Sequence, residues 1–498
     1  MKLPYLSAVA AMALLTAPAF AADVDATKKK DEPAPLKSLW DDTTITGWVD
    51  GGATPNFNNP YNGLNYGRLF DDRAGTPMFN QAGIVMQRPL DPKATGYDFG
   101  YKFVGLIGAD VRYSHYTGEL DYAMHDRTQI TPLEAFAIMH LPWVSAFSEG
   151  GIDLKIGQFV TPLGTELITS PDNIFYSHTY LFNFGPFQHT GVLATDHFTS
   201  WLDVFAGITT GENTGLGWSG DNQNSPSLLV GMTATLLDGK LVMNAATHAG
   251  PENPKQLDPY LVGWPGGVIG GTPVACGCNP TDTWRFLNNF NVTYKATDKL
   301  TLILDSAYYH DNGWNTQSVS GLNPGGLALL NGLTGINTGL IPVRSAGVSA
   351  YGATGYITYQ WTDVIKLSGR VEIFRDNNNF FVAGYPGYFD EVNNVHGFAA
   401  PSTIFAGPQN AGTTYFSLTA GAQITPELPK NDWIKNIILR PEVRYDTTLN
   451  GAQPFFTSLN GPAAYYTTIG GYSPWLGGGR KSNQVTIGMD VVVPFTLK

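Results

Sequence analysis

From Trp284 to Lys295 the residues fall alternately on two faces. Trp284, Phe286, Asn288, Phe290, Val292 and Tyr294 lie on one, and Arg285, Leu287, Asn289, Asn291, Thr293 and Lys295 on the other. A period of two marks a strand whose faces meet different surroundings. The pattern returns in Tyr351, Ala353, Gly355, Ile357, Tyr359 and Trp361, which alternate with Gly352, Thr354, Tyr356, Thr358, Gln360 and Thr362. Past a tight turn, Ile365, Leu367, Gly369, Val371 and Ile373 alternate with Lys366, Ser368, Arg370 and Glu372. This hairpin reads as apolar outside and charged inside. A soluble sandwich also alternates, but its apolar face is inside and its turns are uniformly short.

The same reading places strands near 43–51, 79–88, 99–113, 132–142, 151–160, 188–198, 200–210, 227–237, 240–249, 283–296, 299–311, 345–361, 363–375, 413–425, 434–446 and 483–495. Tight connections at Thr199, Asp238-Gly239, Thr297-Asp298 and Thr362 take turns with long ones at 250–282, 312–344, 376–411 and 447–482, rich in Gly, Pro and Asn. The Asp-Gly pair suits a hairpin that needs positive φ. Connections sorted by length belong to a transmembrane barrel, with short periplasmic turns on one rim and long external loops on the other. The predicted fold is all-β: a transmembrane antiparallel β-barrel of about 16 strands, an even number that returns both termini to one rim. Pro441 interrupts the Arg440, Glu442, Arg444 face, so a bulge is expected there. The last strand, through Val485, Ile487, Met489, Val491 and Val493, fits, although the chain closes on Phe495-Thr496-Leu497-Lys498 rather than on an aromatic.

The first residues read as a signal peptide over 1–21: Lys2, an apolar stretch to Phe20, and a small-x-small site with cleavage between Ala21 and Ala22. A retained anchor is the weaker reading, because Pro4 and Pro18 leave that stretch short for a span. Residues 22–42, with Lys28-Lys29-Lys30 and Pro33-Ala34-Pro35, read as a flexible periplasmic segment, and 43–498 as the barrel domain. No later stretch has the run of apolar residues a transmembrane helix needs. A chain that is 43% hydrophobic and 14% charged, with mean hydropathy -0.10, suits a barrel whose lipid-facing and water-facing residues average out. A net charge of -12 argues against a general attraction to nucleic acid.

One connection departs from the rest. Residues 157–166 read Gly157-Gln158-Phe159-Val160-Thr161-Pro162-Leu163-Gly164-Thr165-Glu166, followed by Ser170-Pro171-Asp172-Asn173, Tyr176-Ser177-His178 and a block from Leu181 through Gln188-His189-Thr190-Gly191. This run resembles the signature of the OmpL-like β-barrel porin family over about 35 residues. The resemblance implies an outer-membrane porin and names no substrate. The connection is the third external loop, yet it carries Leu163, Leu167, Ile168, Ile174, Phe175, Tyr176, Tyr180, Leu181, Phe182, Phe184 and Phe187. Such a patch in water invites association, so the loop is expected to fold inward. It is similar in this to general porins, whose third loop narrows the lumen.

The function expected is therefore a water-filled channel for passive diffusion of small hydrophilic solutes or ions, set among outer-membrane lipids. Glu166, Asp172, His178 and His189 are candidate constriction residues. Lys155, Asp203, Arg285, Lys366, Arg370, Glu372, Arg440, Glu442 and Arg444 are candidate wall charges; any of them paired within the wall would add nothing to selectivity. The mixed signs give no ion preference, and monomer and homotrimer both stay open. The rival from another class is a non-conducting barrel serving as surface receptor or adhesin; residues 22–42 are too short for a large plug domain.

No metal or other cofactor is expected. The nine histidines are scattered, with no His-x-x-x-His pair, and Cys276 and Cys278 alone make no zinc site; a local disulfide or free thiols fits them better. Asp376-Asn377-Asn378-Asn379 lacks the spaced carboxylates of a calcium loop. Catalysis is also disfavoured: Ser177 and His178 are neighbours that a strand would point to opposite sides, no Gly-x-Ser-x-Gly elbow occurs, and Gly263 to Gly271 has no phosphate-binding lysine.

Overall fold

The computed structural model describes residues 40, 42–60, 63–91, 96–116, 119–120, 127–215, 225–252, 268–269, 272–273, 284–312, 348–377, 381–384, 412–429, 433–434, 436–458 and 481–498. Residues 1–21, expected as a signal peptide, nearly all of 22–42, the two cysteines and most of the long connections lie outside these residues.

Alternation of apolar and polar residues yields sixteen antiparallel strands. They are β1 (Thr44–Ala53), β2 (Met78–Arg88), β3 (Asp98–Gly108), β4 (Gln129–Leu141), β5 (Ile152–Val160), β6 (Gln188–Thr199), β7 (Leu202–Glu212) and β8 (Ser227–Leu236). Then come β9 (Leu241–Pro251), β10 (Trp284–Lys295), β11 (Leu300–Asp311), β12 (Val348–Gln360), β13 (Ile365–Asp376) and β14 (Thr413–Ile424). The set ends with β15, in two pieces (Ile438–Leu439 and Glu442–Thr448), and β16 (Asn483–Thr496). Each strand pairs with its sequence neighbours, and β1 pairs with β16 from Thr46 opposite Thr496 to Ala53 opposite Met489, closing the barrel. Closure leaves the barrel, among the described residues, no edge strand with unpaired backbone groups. Among the described residues no helix is long and apolar enough to cross a membrane.

Along β13 Leu367, Val371 and Ile373 are exposed, whereas Ser368, Arg370, Glu372, Phe374 and Asp376 are buried. On β12 Tyr351, Ile357 and Tyr359 are exposed and Thr354, Tyr356 and Thr358 buried. The outer face is thus an apolar band and the inner face is polar, the inverse of a soluble core. Exposed aromatics edge the band at both ends, with Tyr294, Tyr359 and Trp361 beside the short turns and Trp284, Tyr308 and Tyr351 beside the long connections. Such girdles suit the two interfaces of a bilayer, where an amphipathic ring has an apolar body to bury and a polar edge to solvate.

Every expected strand is present, and two local expectations are corrected. The third strand stops at Gly108 instead of continuing to Tyr113. Gly108 has φ 150, and a Cβ there would lie 2.0 Å from the Asn80 carbonyl, so the chain turns where only glycine fits. It folds over as α1 (Val111–Ser114), held by the Asn80 and Gln81 amides donating to Asp110 at 2.9 Å each.

At Pro441 there is no bulge. Leu439 opposite Ile424 and Glu442 opposite Gly421 keep one register, as do Leu439 opposite Val491 and Glu442 opposite Gly488. The proline carbonyl still accepts from the Ala422 N–H at 3.1 Å, although proline has no donor to return. At the Asp-Gly turn, positive φ extends over Leu237, Asp238 and Gly239.

Candidate functional site

Residues 161–187 join β5 to β6 and carry most of the loop's apolar content inside the protein. Leu163, Ile168, Phe175, Tyr176, Tyr180, Leu181, Phe184 and Phe187 are all buried. A 3-10 turn (Ser170–Asp172) and the short α2 (Tyr180–Asn183) give the segment local order. Thr179 caps α2, its hydroxyl accepting the Phe182 N–H at 3.1 Å.

The segment's polar groups are satisfied by side chains on the inner faces of strands from widely separated parts of the sheet. Asn244 on β9 donates to the Pro162 carbonyl at 2.9 Å, and Asp305 on β11 accepts the Thr165 N–H at 2.8 Å. Tyr309, also on β11, donates to the Leu181 carbonyl at 2.8 Å. Gln81 on β2 donates to the Ile168 carbonyl at 2.6 Å and accepts the Ser170 N–H at 3.1 Å. A loop with so many main-chain bonds to walls has few of its own amides left for water, as burial of backbone requires.

The charged residues cluster on the same contact. Arg370 on β13 donates to Glu166 at 2.8 Å and to the Ser177 carbonyl and hydroxyl at 2.6 and 2.9 Å. Glu372, two residues along the same face, accepts the Leu181 N–H at 3.1 Å. On β15 Glu442 accepts the N–H groups of Tyr176 and Ser177 at 3.0 and 3.2 Å. Arg444 donates to the His178 carbonyl and, at 2.8 Å, to Asp446. Arg440 grips Asp490 of β16 side-on through Nε and Nη2, and its Nη1 donates to the Ser170 and Asn173 carbonyls at 2.6 and 2.8 Å. All five wall residues are buried, and bidentate arginine pairs of this kind fix orientation as well as energy.

Glu166 is the hub on the loop side. It accepts from Arg370, the Tyr356 hydroxyl at 3.0 Å, the Thr179 N–H and hydroxyl at 2.9 and 3.1 Å, and the His178 ring at 3.2 Å. Burial pushes its carboxyl up, but the Arg370 charge, with His178 and the Thr179 N–H, outweighs burial and holds it at about 2. The His178 ring stacks on Phe182 with centroids 4.2 Å apart. His189 is buried against Thr161 at 3.1 Å and stacks on His248 at 5.1 Å, away from the Glu166 hub. Asp172 is exposed and takes a 3.4 Å bond from the Thr169 hydroxyl.

The other wall candidates sit elsewhere. Arg285 pairs with Glu212 at 2.8 Å and Asp311 at 3.0 Å beside the long connections. Lys155 lies over the Phe136 and Phe159 rings, 4.8 and 5.4 Å from their centroids. Lys366 faces inward at the short-turn end of β13. Asp203, near the same rim, accepts from His197 at 2.8 Å.

Sequence reasoning missed several partners. Asp446 and Asp490 complete the inner-face rows of β15 and β16, a signal that the two-residue period carries. Arg68 and Asp71 come from the β1 to β2 connection: Arg68 bonds Asp71 at 2.7 Å and Asp446 at 2.8 Å, and no spacing in the sequence announces that. Also missed was a cluster of His140, Asp153 and His197. The hairpin register of β4 and β5 sets His140 opposite Asp153 and could have given that pair.

No curated protein matches this chain in sequence. Among solved structures it is similar to the outer membrane channel DcaP of Acinetobacter baumannii at 11% identity, over 91% of this chain and 97% of that one, with a TM-score of 0.43. The anion-selective porin from Comamonas acidovorans is 8% identical over 91% of this chain and 99% of its own, TM-score 0.46. OprB of Pseudomonas putida, in a high-pH structure, is 11% identical over 92% and 95%, TM-score 0.46. The family model described as "Putative beta-barrel porin-2, OmpL-like" matches residues 42–495, and the chain therefore belongs to this porin family of the bacterial outer membrane.

Proposed function

We propose that this porin passes small hydrophilic solutes or ions by passive diffusion through a bore whose width is set by residues 161–187. One observation carries the reading: Glu442 and Glu372, on inner faces of two different strands, take up main-chain N–H groups of Tyr176, Ser177 and Leu181. A segment so bonded lies across the lumen, and its leucines and aromatics gain about 1.5–3 kcal/mol each by leaving water. In this reading Arg370, Glu372, Arg440, Glu442 and Arg444 anchor the constriction and are largely neutralised by it. Ion preference then falls to the charges left facing water, with Asp172 on the loop and Lys155, Asp203 and Lys366 on the wall. Export by a signal peptide over 1–21, removed between Ala21 and Ala22, belongs to the same reading.

The test is single-channel conductance of the purified protein in a planar bilayer under a salt gradient, comparing the native chain with one in which residues 166–184 are replaced by a short Gly-Ser linker. The expected result is a larger conductance and weaker size exclusion, with a changed reversal potential as the anchoring charges become solvated. A properly assembled deletion protein with native conductance would show that the segment does not set the bore.

A further inference from the structure

We propose that His140, Asp153 and His197 form a binding site for a divalent transition-metal ion such as Zn2+ on the inner wall at the short-turn rim, with Asp203 as the positioning residue for His197. The four residues come from four successive strands, β4 to β7, at positions where inward faces meet. Their outward neighbours Met139, Ile156, Val192 and Val204 are exposed on the apolar band, which fixes the opposite face as the lumen side. Register sets His140 opposite Asp153, Asp153 opposite Thr195, and His197 opposite Asp203.

Asp153 lies between the two imidazoles. Its carboxylate oxygens meet His140 Nδ1 at 2.7 Å and His197 Nε2 at 3.2 Å. One ligand atom from each residue lies within 4.8 Å of the others. Metal bonds of about 2.0–2.2 Å hold donor atoms within roughly 4 Å of one another, so ion uptake draws the three side chains slightly together. Two imidazoles and one carboxylate suit Zn2+ and its neighbours and suit Mg2+ or Ca2+ poorly, since those prefer all-oxygen shells. The Asp153 and His197 side chains keep 19% and 31% of their surface, leaving a coordination position open to water and to a passing solute.

Two further features fit a ligand better than a plain hydrogen-bond cluster. Asp203 meets Nδ1 of His197 at 2.8 Å and so directs Nε2 at Asp153, the carboxylate-histidine-metal arrangement that orients ligand rings. Gly150 and Gly151 pack closely against both histidines: a Cβ on Gly150 would sit 2.6 Å from the His197 Cβ, and one on Gly151 2.5 Å from the Leu141 carbonyl and 3.1 Å from the His140 Cε1. The nearby ammonium of Lys155 is drawn over Phe136 and Phe159.

The experiment uses the full-length protein without an affinity tag, refolded in detergent and stripped with a chelator. It is titrated with Co2+, read by visible absorption, and then with Zn2+ as competitor. The expected result is one equivalent of Co2+ displaced by Zn2+, lost in His140→Ala and in His197→Ala, and weakened about 10–100-fold with the stoichiometry kept in Asp203→Asn. His310→Ala, on β11, keeps native binding. Folding of each variant is read by heat-modifiable gel mobility, and if a histidine variant fails to fold, Asp153→Asn takes its place, with the same loss expected. Absence of Co2+ bands in the native protein, or native binding in the folded histidine or Asp153 variants, overturns the site.

Discussion

Arg370 and Glu166 stand 204 positions apart in sequence and 2.8 Å apart in the fold, joining the inner wall of β13 to the middle of the β5 to β6 connection. The pair is buried on both sides, so its worth is best judged by what breaking it leaves behind. Removal of one partner of a buried pair costs about 3–5 kcal/mol, because the other charge stays desolvated. Glu166→Ala is expected to destabilise the protein by about that amount and to give noisy, larger single-channel currents as the segment loosens. Arg370→Met with Glu166→Gln, which removes both charges, is expected to restore much of the stability. Equal stabilities for the single and double variants would show that the pair does not couple loop to wall.

The outer band makes a second expectation. Val371 is 46% exposed between buried Arg370 and Glu372, so an arginine there would face hydrocarbon. Val371→Arg is expected to cost about 2–4 kcal/mol near midplane and to reduce the heat-resistant folded band on gels. Arg370→Met with Glu166→Gln, a change confined to the inner side, is expected to retain that band. Reversed outcomes would put the strand register out by one residue.

Much of this was legible in the sequence, for a physical reason. Lipid outside and polar groups inside impose a two-residue period on every strand, and no tertiary detail can hide it. The end of β3 was not legible, because Val111 and Tyr113 continue the alternation; what stops the strand is Gly108 against Asn80, a contact between strands. The bulge expected at Pro441 failed because a ladder can forgo one donor without inserting a residue. The bonds of Arg370, Glu442 and Arg444 to the β5 to β6 connection were hidden because an inward charge reads alike whether it meets water or a loop. Asp153 was missed for a related reason: its partners His140 and His197 lie on different strands, and spacing along the chain does not measure distance across a sheet.

Topology gives a third expectation. In a Cys276→Ser, Cys278→Ser background, Lys299→Cys, in the turn before β11, is expected to resist a membrane-impermeant maleimide on intact cells, and Lys255→Cys, in the sequence between β9 and β10, to react. The motive is the sorting of short and long connections onto opposite rims. Rapid labelling at Lys299→Cys with none at Lys255→Cys would invert the orientation.

Acid supplies the last expectation, and its sign follows from Glu166. The carboxyl of Glu166 is held at about 2 against an ordinary value of 4.5, so the folded state binds its proton more weakly than the unfolded chain does. A depressed carboxyl contributes stability that is full above 4.5, declines as pH falls, and is gone once pH has passed below the folded value near 2. The shift corresponds to roughly 3 kcal/mol, enough to hold or release a loop but small beside a barrel. Asp110, lifted by burial to about 7, runs the other way: it favours the folded state at low pH and withdraws that support as pH rises from its ordinary 3.8 toward 7. The two are separable by window and by place, since Asp110 bonds Asn80 and Gln81 beside α1 and Glu166 bonds β12 and β13. Single-channel conductance followed downward from pH 5 is therefore expected to become larger and noisier as Glu166 protonates and Arg370 loses its partner. Glu166→Gln, already neutral, is expected to show that loosened behaviour at pH 5 and to change little on further acidification. An acid response of the same size in Glu166→Gln and in the native protein would place the responsible group elsewhere.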